Sequence, residues 1–410
     1  MMNCRFCGEE LNHVFADLGL SPVSNAFVDE KDKNKPEVFY PLTAYVCDKC
    51  FLVQVLDFAP ADHHFHDSYI YFSSFSKAWV AHAKAFVEKI ILTRSLTKNS
   101  QVIELASNDG YLLRHFIPYE IPILGIEPSK NVAAEAEKQG VPSLVKFFGV
   151  NTAQELVKQK IKADVIVANN VLAHVPDIND FAAGIDLLLK PNGIASIEVP
   201  WLLNLIENNQ FDTIYHEHYS YLSLTFLTKL FLKNGLEIFD VEELPTHGGS
   251  LRVFVKKITS SSDSVSPICG KLLDREERLG LSAIEGYGSF QEKIVRIKLD
   301  LLSFLIDAKR NGKKVVAYGA PAKGNTLLNY CGVGPELISF AVDLSPHKQG
   351  KLLPGTRIQV RPVEAIYEEY PNYIVILPWN IKEEIMDQMN EVRSWGCRFV
   401  VPIPSIGEFG

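Results

Sequence analysis

Apolar positions along this chain fall into short unbroken runs separated by amphipathic stretches. The runs VIEL at 102–105, ILGI at 123–126, ADVIVAN at 163–169 and IASIEV at 194–199 read as strands buried on both faces. Apolar residues at helical spacing fill 77–93, then 131–139, 153–160 and 181–189, the last ended by Lys-Pro-Asn-Gly. Strand alternating with helix predicts a parallel, doubly wound α/β sheet. Segments 236–244 and 250–257, joined by Pro-Thr-His-Gly-Gly, read as an antiparallel pair at its edge. The serine-rich TSSSDSVSP at 259–267 reads as a linker. Beyond it the pattern predicts a long amphipathic helix over 284–311. A second strand-turn-helix unit follows from Lys314, with strands at 338–342, 373–377 and 399–402. Three domains result: 1–75, 76–260 and 261–410.

The turn between the first two strands carries Ala106-Ser107-Asn108-Asp109-Gly110, and the second strand ends in Glu127, 23 residues after Glu104. Folds of this kind place a carboxylate there on ribose hydroxyls. A pyrophosphate needs bare glycine backbone beside it, and this loop has one glycine. Acidic and amide groups crowd it instead, which suits a ligand with a sulfonium and an amino group. Ala106 stands where a first glycine is usual, so the turn must accept a methyl group. The sequence ELASNDG resembles the S-adenosylmethionine (SAM) loop of class I methyltransferases. The resemblance implies contacts from Glu104, Ala106, Asn108, Asp109, Gly110, Glu127 and Pro128. Asn169 and Asn170, at the carboxyl end of the next strand, face the same crevice.

Composition narrows the picture. A net charge of −8 over 410 residues argues against a general nucleic-acid binder, which needs a basic face. No run of about 18 apolar residues spans a membrane, and no signal pattern opens the chain, so a soluble cytoplasmic protein is expected, a monomer by default. Of seven cysteines, four form two Cys-x-x-Cys pairs, Cys4/Cys7 and Cys47/Cys50, 39 residues apart. Two such turns supply the four soft ligands of a structural zinc. A redox dithiol fits two separate pairs poorly. Between the pairs lies DLGLSPVSNAFV; after them HHFHDSYIYFSSFS places Tyr69 and Tyr71 on one face of an extended segment, where one of them enters a neighbouring site.

The richest polar cluster is Tyr215-His216-Glu217-His218-Tyr219. As a strand it would set His216 and His218 opposite Tyr215, Glu217 and Tyr219. Its composition favours acid–base work over metal binding. His174, in NNVLAHVPD, lies just past a strand end and so beside the crevice, with a core or capping role as the alternative. In the C-terminal unit, Gly319, Lys323, Gly324 and Asn325 form a turn with exposed N–H groups and a cation, suited to phosphate, and Lys348 and Lys351 follow the next strand. A solvated loop is the competing view.

Together the cysteine pairs, ELASNDG, GIEPS, NNVLAHVPD, YHEHYSY, THGGSLRVF, GAPAKGN and PGT resemble the sugar C-methyltransferases of deoxysugar pathways over essentially the whole chain. The resemblance implies a seven-stranded class I methyltransferase sheet between a small zinc-binding domain and a Rossmann-like C-terminal domain. It also implies SAM-dependent methylation at C-3 of a nucleoside-diphosphate 4-keto-deoxyhexose, linked to thymidine or guanosine. His218 then stands at the general base, with Tyr215, Glu217, His174 and Tyr69 or Tyr71 around the sugar. Two alternatives stay open: an O-methyltransferase on a sugar nucleotide, and a nicotinamide oxidoreductase with a zinc module.

Overall fold

The structure is a computed structural model and describes residues 2–58, 72–260 and 263–410. Its central sheet has seven strands in the order Leu236–Leu244, Ser250–Lys257, Leu189–Pro200, Ala163–Asn169, Val102–Leu105, Ile123–Ile126, Ser143–Leu144. The last five are parallel to one another, and Ser250–Lys257 runs antiparallel to both of its neighbours. This is the class I methyltransferase fold. Chain order reverses beside Val102–Leu105, whose four residues are all buried, so a crevice opens at the carboxyl ends of that strand and of Ala163–Asn169.

The zinc-binding region contributes His13–Ser21, Tyr40–Val46 and Val53–Val55 to a four-stranded sheet completed by Ser220–Tyr221 from the far side of the crevice. The C-terminal unit has six strands in the order Val360–Arg361, Ala341–Val342, Val315–Tyr318, Tyr373–Ile376, Arg398–Val401, Gly407–Phe409, parallel except for the last. A two-residue pairing of Val28–Asp29 with Lys351–Leu352 ties it to the first region.

Four elements differ from the sequence pattern. Lys190-Pro191-Asn192-Gly193 does not separate helix from strand: it bulges within one strand, Leu189–Pro200, between partners Ala163 and Val165. The long helix starts only at Phe290, after a separate 3-10 turn, Ile284–Tyr287. Pro267–Leu279, at the end of the serine-rich stretch, is a helix with proline in its first turn, where the missing N–H costs nothing. After the SAM loop, where strand–helix alternation leads to an α-helix, the chain winds as the 3-10 helix Leu113–Tyr119, with Pro118 inside it.

Candidate active site

The four cysteines converge. Cys4 and Cys50 Sγ lie 3.5 Å apart, as do Cys7 and Cys47, and all four sulfurs fall within 4.8 Å of one another. A tetrahedral zinc with sulfur at ~2.3 Å requires S–S edges of about 3.8 Å. Each pair sits on a tight turn, closed by the Gly8 N–H on the Cys4 carbonyl and the Phe51 N–H on the Cys47 carbonyl, both at 2.9 Å. Lys229 Nζ meets the Lys49 and Cys50 carbonyls, and Lys233 Nζ meets the Phe6 carbonyl. These cations offset the net negative charge of four thiolates around a divalent ion. Sulfur at every position leaves no open coordination site, so the zinc is structural.

The crevice is built by a strained turn. Ala106 (φ 53), Asn108 (φ 49) and Gly110 (φ 77) all take left-handed conformations. Gly110 serves packing rather than close approach to a ligand: a Cβ there would meet Val141 at 2.9 Å. Glu127 accepts the backbone N–H groups of Asn108 (3.0 Å) and Ser129 (2.8 Å), which fixes the loop on the strand end and leaves lone pairs for ribose hydroxyls. Asn108 and Asp109 hold a neighbouring segment: Ser73 N–H donates to Asn108 Oδ1 (2.8 Å), and the Ser74 N–H and hydroxyl donate to Asp109 Oδ2. Sequence reasoning missed this clamp, because nothing in Ser-Ser marks a distant partner.

Burial, and the nearby Asp109 and Glu127 charges, push the Glu104 carboxyl well above its usual range; burial also raises Glu127. Among the described residues, Asp109 Oδ1, Asn169 Oδ1 and Asn170 Oδ1 are buried acceptors with no partner. Three crowded carboxyls and unused acceptors fit a cationic ligand carrying an ammonium group and ribose hydroxyls, which is SAM. Half-buried Pro128 follows Glu127. Trp79 stacks on Tyr111 (ring centroids 5.9 Å) and Tyr111 reaches Asn169, giving the crevice an aromatic wall.

Past the crevice, the Tyr215–His218 run is not a strand. The His218 N–H bonds to the Tyr215 carbonyl at 2.9 Å, and the resulting turn brings together two side chains that alternation would separate. Tyr215 Oη lies 2.6 Å from His218 Nε2, and His218 Nδ1 lies 2.9 Å from the Thr213 carbonyl. A carbonyl only accepts, so Nδ1 carries the proton and Nε2 presents its lone pair, to which the phenol donates. Burial, with His174 nearby, holds His218 well below the usual histidine range. His174 packs edge-on to it at 4.7 Å, donates Nδ1–H to the Glu217 carbonyl (2.7 Å), and is held down to about 4 by burial. Burial raises the Glu217 carboxyl to about 7, and Asn25 Nδ2 donates to both its oxygens, at 2.8 and 3.0 Å. His216 instead meets Pro41 and Tyr40 of the zinc-binding region, and Tyr219 packs under Arg5. Tyr69 and Tyr71 lie outside the described residues.

Three family models match consecutive segments: "Putative zinc binding domain" at 4–65, "Methyltransferase domain" at 79–241 and "C-methyltransferase C-terminal domain" at 245–404. The chain is 33% identical to the C-methyltransferase NovU of Streptomyces niveus over 401 residues, 98% of this chain and 95% of that protein. It belongs to this C-methyltransferase family. The chain is also 26% identical to a ubiquinone biosynthesis O-methyltransferase of Rhodopseudomonas palustris, over only 23% of this chain and 37% of that protein. Among solved structures, a SAM-dependent methyltransferase of Clostridium acetobutylicum is 14% identical, over 43% of this chain and 92% of its own, with a TM-score of 0.35. The magnesium protoporphyrin IX methyltransferase of Synechocystis with bound SAM is 13% identical, over 48% and 88%, at 0.33.

Membership in the C-methyltransferase family makes this a SAM-dependent enzyme that methylates carbon, and removes the oxidoreductase and O-methyltransferase alternatives. No described helix is long and apolar enough to cross a membrane. The C-terminal turn needs partial correction. Gly324 packs against Leu377, where a Cβ would meet its side chain at 2.8 Å, and buried Asn325 donates to the Ser24 carbonyl at 2.9 Å. Gly324 is thus a packing contact within the C-terminal unit, and the Asn325 side chain is a joint to the zinc-binding region rather than a free donor. Gly319 (φ 85) turns against Pro378, and the next N–H, of Ala320, is taken by Asp343 at 2.8 Å. Lys348 pairs with Asp343 (3.2 Å), and Lys351 faces Asp29 at 3.9 Å. Lys323 does reach the site. It lies over Trp379 (4.4 Å) and bonds to Asn380, and its charge adds to burial, the larger cause, in lowering His247 and His218. Burial takes Lys323 down to about 8 and Asp212, whose Oδ2 accepts from Trp379, up to about 6; for each, burial outweighs the opposite charge beside it.

Proposed function

We propose that this C-methyltransferase acts on a nucleoside-diphosphate 4-keto-deoxyhexose, methylating a carbon beside the ketone, C-3 in the reading that follows from the family resemblance. The observation that carries the reading is the Tyr215–His218 pair: a neutral imidazole whose tautomer is fixed by the Thr213 carbonyl and whose free lone pair is capped by a phenol. A hydrogen on carbon is acidic only beside a carbonyl, and only if the enolate is stabilised, so such a substrate demands a base and a donor together. His218 Nε2 takes the proton from that carbon. Tyr215, displaced from Nε2 by the substrate, turns its O–H to the enolate oxygen, with one of Tyr69 or Tyr71 as a second donor, while His174, its Nδ1–H held by the Glu217 carbonyl, packs beside His218. Glu217 grips a sugar hydroxyl.

SAM, held by Ala106 to Gly110, Glu127, Pro128, Asn169 and Asn170, supplies an electrophilic methyl group when bound. The acceptors around Asp109 orient its ammonium end, and Glu104, whose burial favours the protonated carboxyl, lies beneath the loop. Lys323 meets the diphosphate, with Lys348 and Lys351 as the next cations along the C-terminal unit. The test of the substrate class is a mass-spectrometric screen of thymidine- and guanosine-diphosphate 4-keto sugars with SAM. A 14-dalton gain located on carbon by NMR is the expected result; no gain with any 4-keto sugar nucleotide overturns the reading. Replacing Lys323 by alanine is expected to raise KM for the sugar nucleotide, and an unchanged KM transfers the diphosphate to Lys348 and Lys351.

A further inference from the structure

The stretch between the two cysteine pairs reaches the catalytic turn. Ser24, only 2% exposed, is pinned to the C-terminal unit: its carbonyl accepts Asn325 Nδ2 at 2.9 Å, and its hydroxyl lies 3.5 Å from Thr326 Oγ1. Thr326 in turn donates to the Ile214 carbonyl at 3.2 Å, just before Tyr215. The next residue, Asn25, is therefore delivered at a joint of all three regions. It is exposed, whereas Glu217 is buried, and its amide nitrogen straddles both Glu217 oxygens. Among the described residues no other group hydrogen-bonds to that carboxylate. His174 meets the Glu217 main chain, His218 shares its turn, and Tyr219, with Arg5 and Asp57 beyond it, flanks the other side.

We propose that Asn25 is a positioning residue of the active site, through which the zinc-binding region holds Glu217 as an oriented carboxylate. The zinc then does more than stabilise an appendage: it folds the region that completes the catalytic turn. A carboxylate taken out of water is held ionised only by the donors it keeps. Among the described residues, Asn25 supplies both hydrogen bonds that the buried Glu217 carboxylate accepts. This inference rests on the proposed role of Glu217 at the sugar.

The experiment uses full-length, zinc-loaded protein with Asn25→Ala, Asn25→Asp and, as reference, Glu217→Gln. Difference infrared spectroscopy of the Glu217 carboxyl, without substrate, reads its titration directly. Losing charge-assisted hydrogen bonds is expected to move it upward by about one to two pH units. Asn25→Asp keeps the shape, removes the donors and adds like charge, so its shift is expected to be the larger; it also serves if the alanine variant folds poorly. With the sugar nucleotide, kcat/KM at pH 7 is expected to fall about ten- to a hundred-fold and to recover as pH rises, with zinc content and SAM affinity unchanged. An unshifted Glu217 titration, or a loss of activity equal at every pH, overturns the proposal. If the wild type methylates no sugar nucleotide, the substrate reading fails, while the infrared shift still judges Asn25 by itself.

Discussion

At the scale of single residues, Ala106 and His218 carry the most specific consequences. Ala106 holds a left-handed φ of 53 at the head of the SAM loop, a conformation that costs a residue with a Cβ roughly 1–2 kcal/mol. Ala106→Gly relieves this and loses about 0.4–1 kcal/mol to the freer unfolded chain, for a net gain of about 0.5 kcal/mol in urea unfolding. A clear loss of stability would show that the methyl group packs favourably despite the strain. His218→Ala is expected to lower methylation by about 10²–10⁴-fold, the range for a lost general base, without weakening SAM binding. The pH profile separates two groups. Glu217, raised to about 7, gives the limb at neutral pH, where an ionised carboxylate is lost as pH falls. In Glu217→Gln the remaining acid limb belongs to His218, which is neutral down to well below 6.5, so that variant's activity is expected to be flat between pH 6.5 and 8. That acids, bases and phenols gather at Tyr215 to Tyr219 was legible in composition alone. Its geometry was not, because one hydrogen bond, from the His218 N–H to the Tyr215 carbonyl, turns an apparent strand into a loop.

At the scale of elements, the SAM loop, the strand before it and Glu127 act as one unit. Glu127 anchors two backbone N–H groups, of Asn108 and Ser129, and is the proposed ribose acceptor. Glu127→Ala is therefore expected to weaken SAM about ten- to a hundred-fold in calorimetric titration, and an unaltered affinity in the folded variant would remove Glu127 from the site. The buried strands were readable because runs such as VIEL and ADVIVAN admit no other placement in an α/β sheet. Gly110 was readable as a turn but not by purpose, whereas Gly324, read as part of a turn with Lys323 and Asn325, lies with them in the helix Ala322–Cys331. Gly110 makes room for Val141 and Gly324 for Leu377, contacts set by residues far along the chain. The clamp of Ser73 and Ser74 on Asn108 and Asp109, and the stack of Trp79 on Tyr111, likewise depend on how the entry to Lys77–Thr93 lies across the loop.

At the scale of the whole molecule, three regions meet at the Tyr215–His218 turn, and the zinc-binding region supplies one side of that joint. Elemental analysis is expected to find one zinc per chain. Stripping it, or Cys47→Ser, should lower the unfolding temperature and abolish turnover of the sugar while SAM still binds, because the SAM crevice is built within the central sheet. SAM affinity lost in parallel with zinc would contradict that separation. The central claim is that His218 makes a carbanion equivalent beside a ketone before the methyl group arrives. The measurement closest to it is NMR of a nucleoside-diphosphate 4-keto-deoxyhexose incubated with the enzyme and SAM in deuterated water, wild type against His218→Ala. The account predicts a new methyl group on the carbon beside the ketone, that carbon's hydrogen lost to solvent, and both lost together in the variant. A methyl group on oxygen, or carbon methylation at an undiminished rate in His218→Ala, would contradict it.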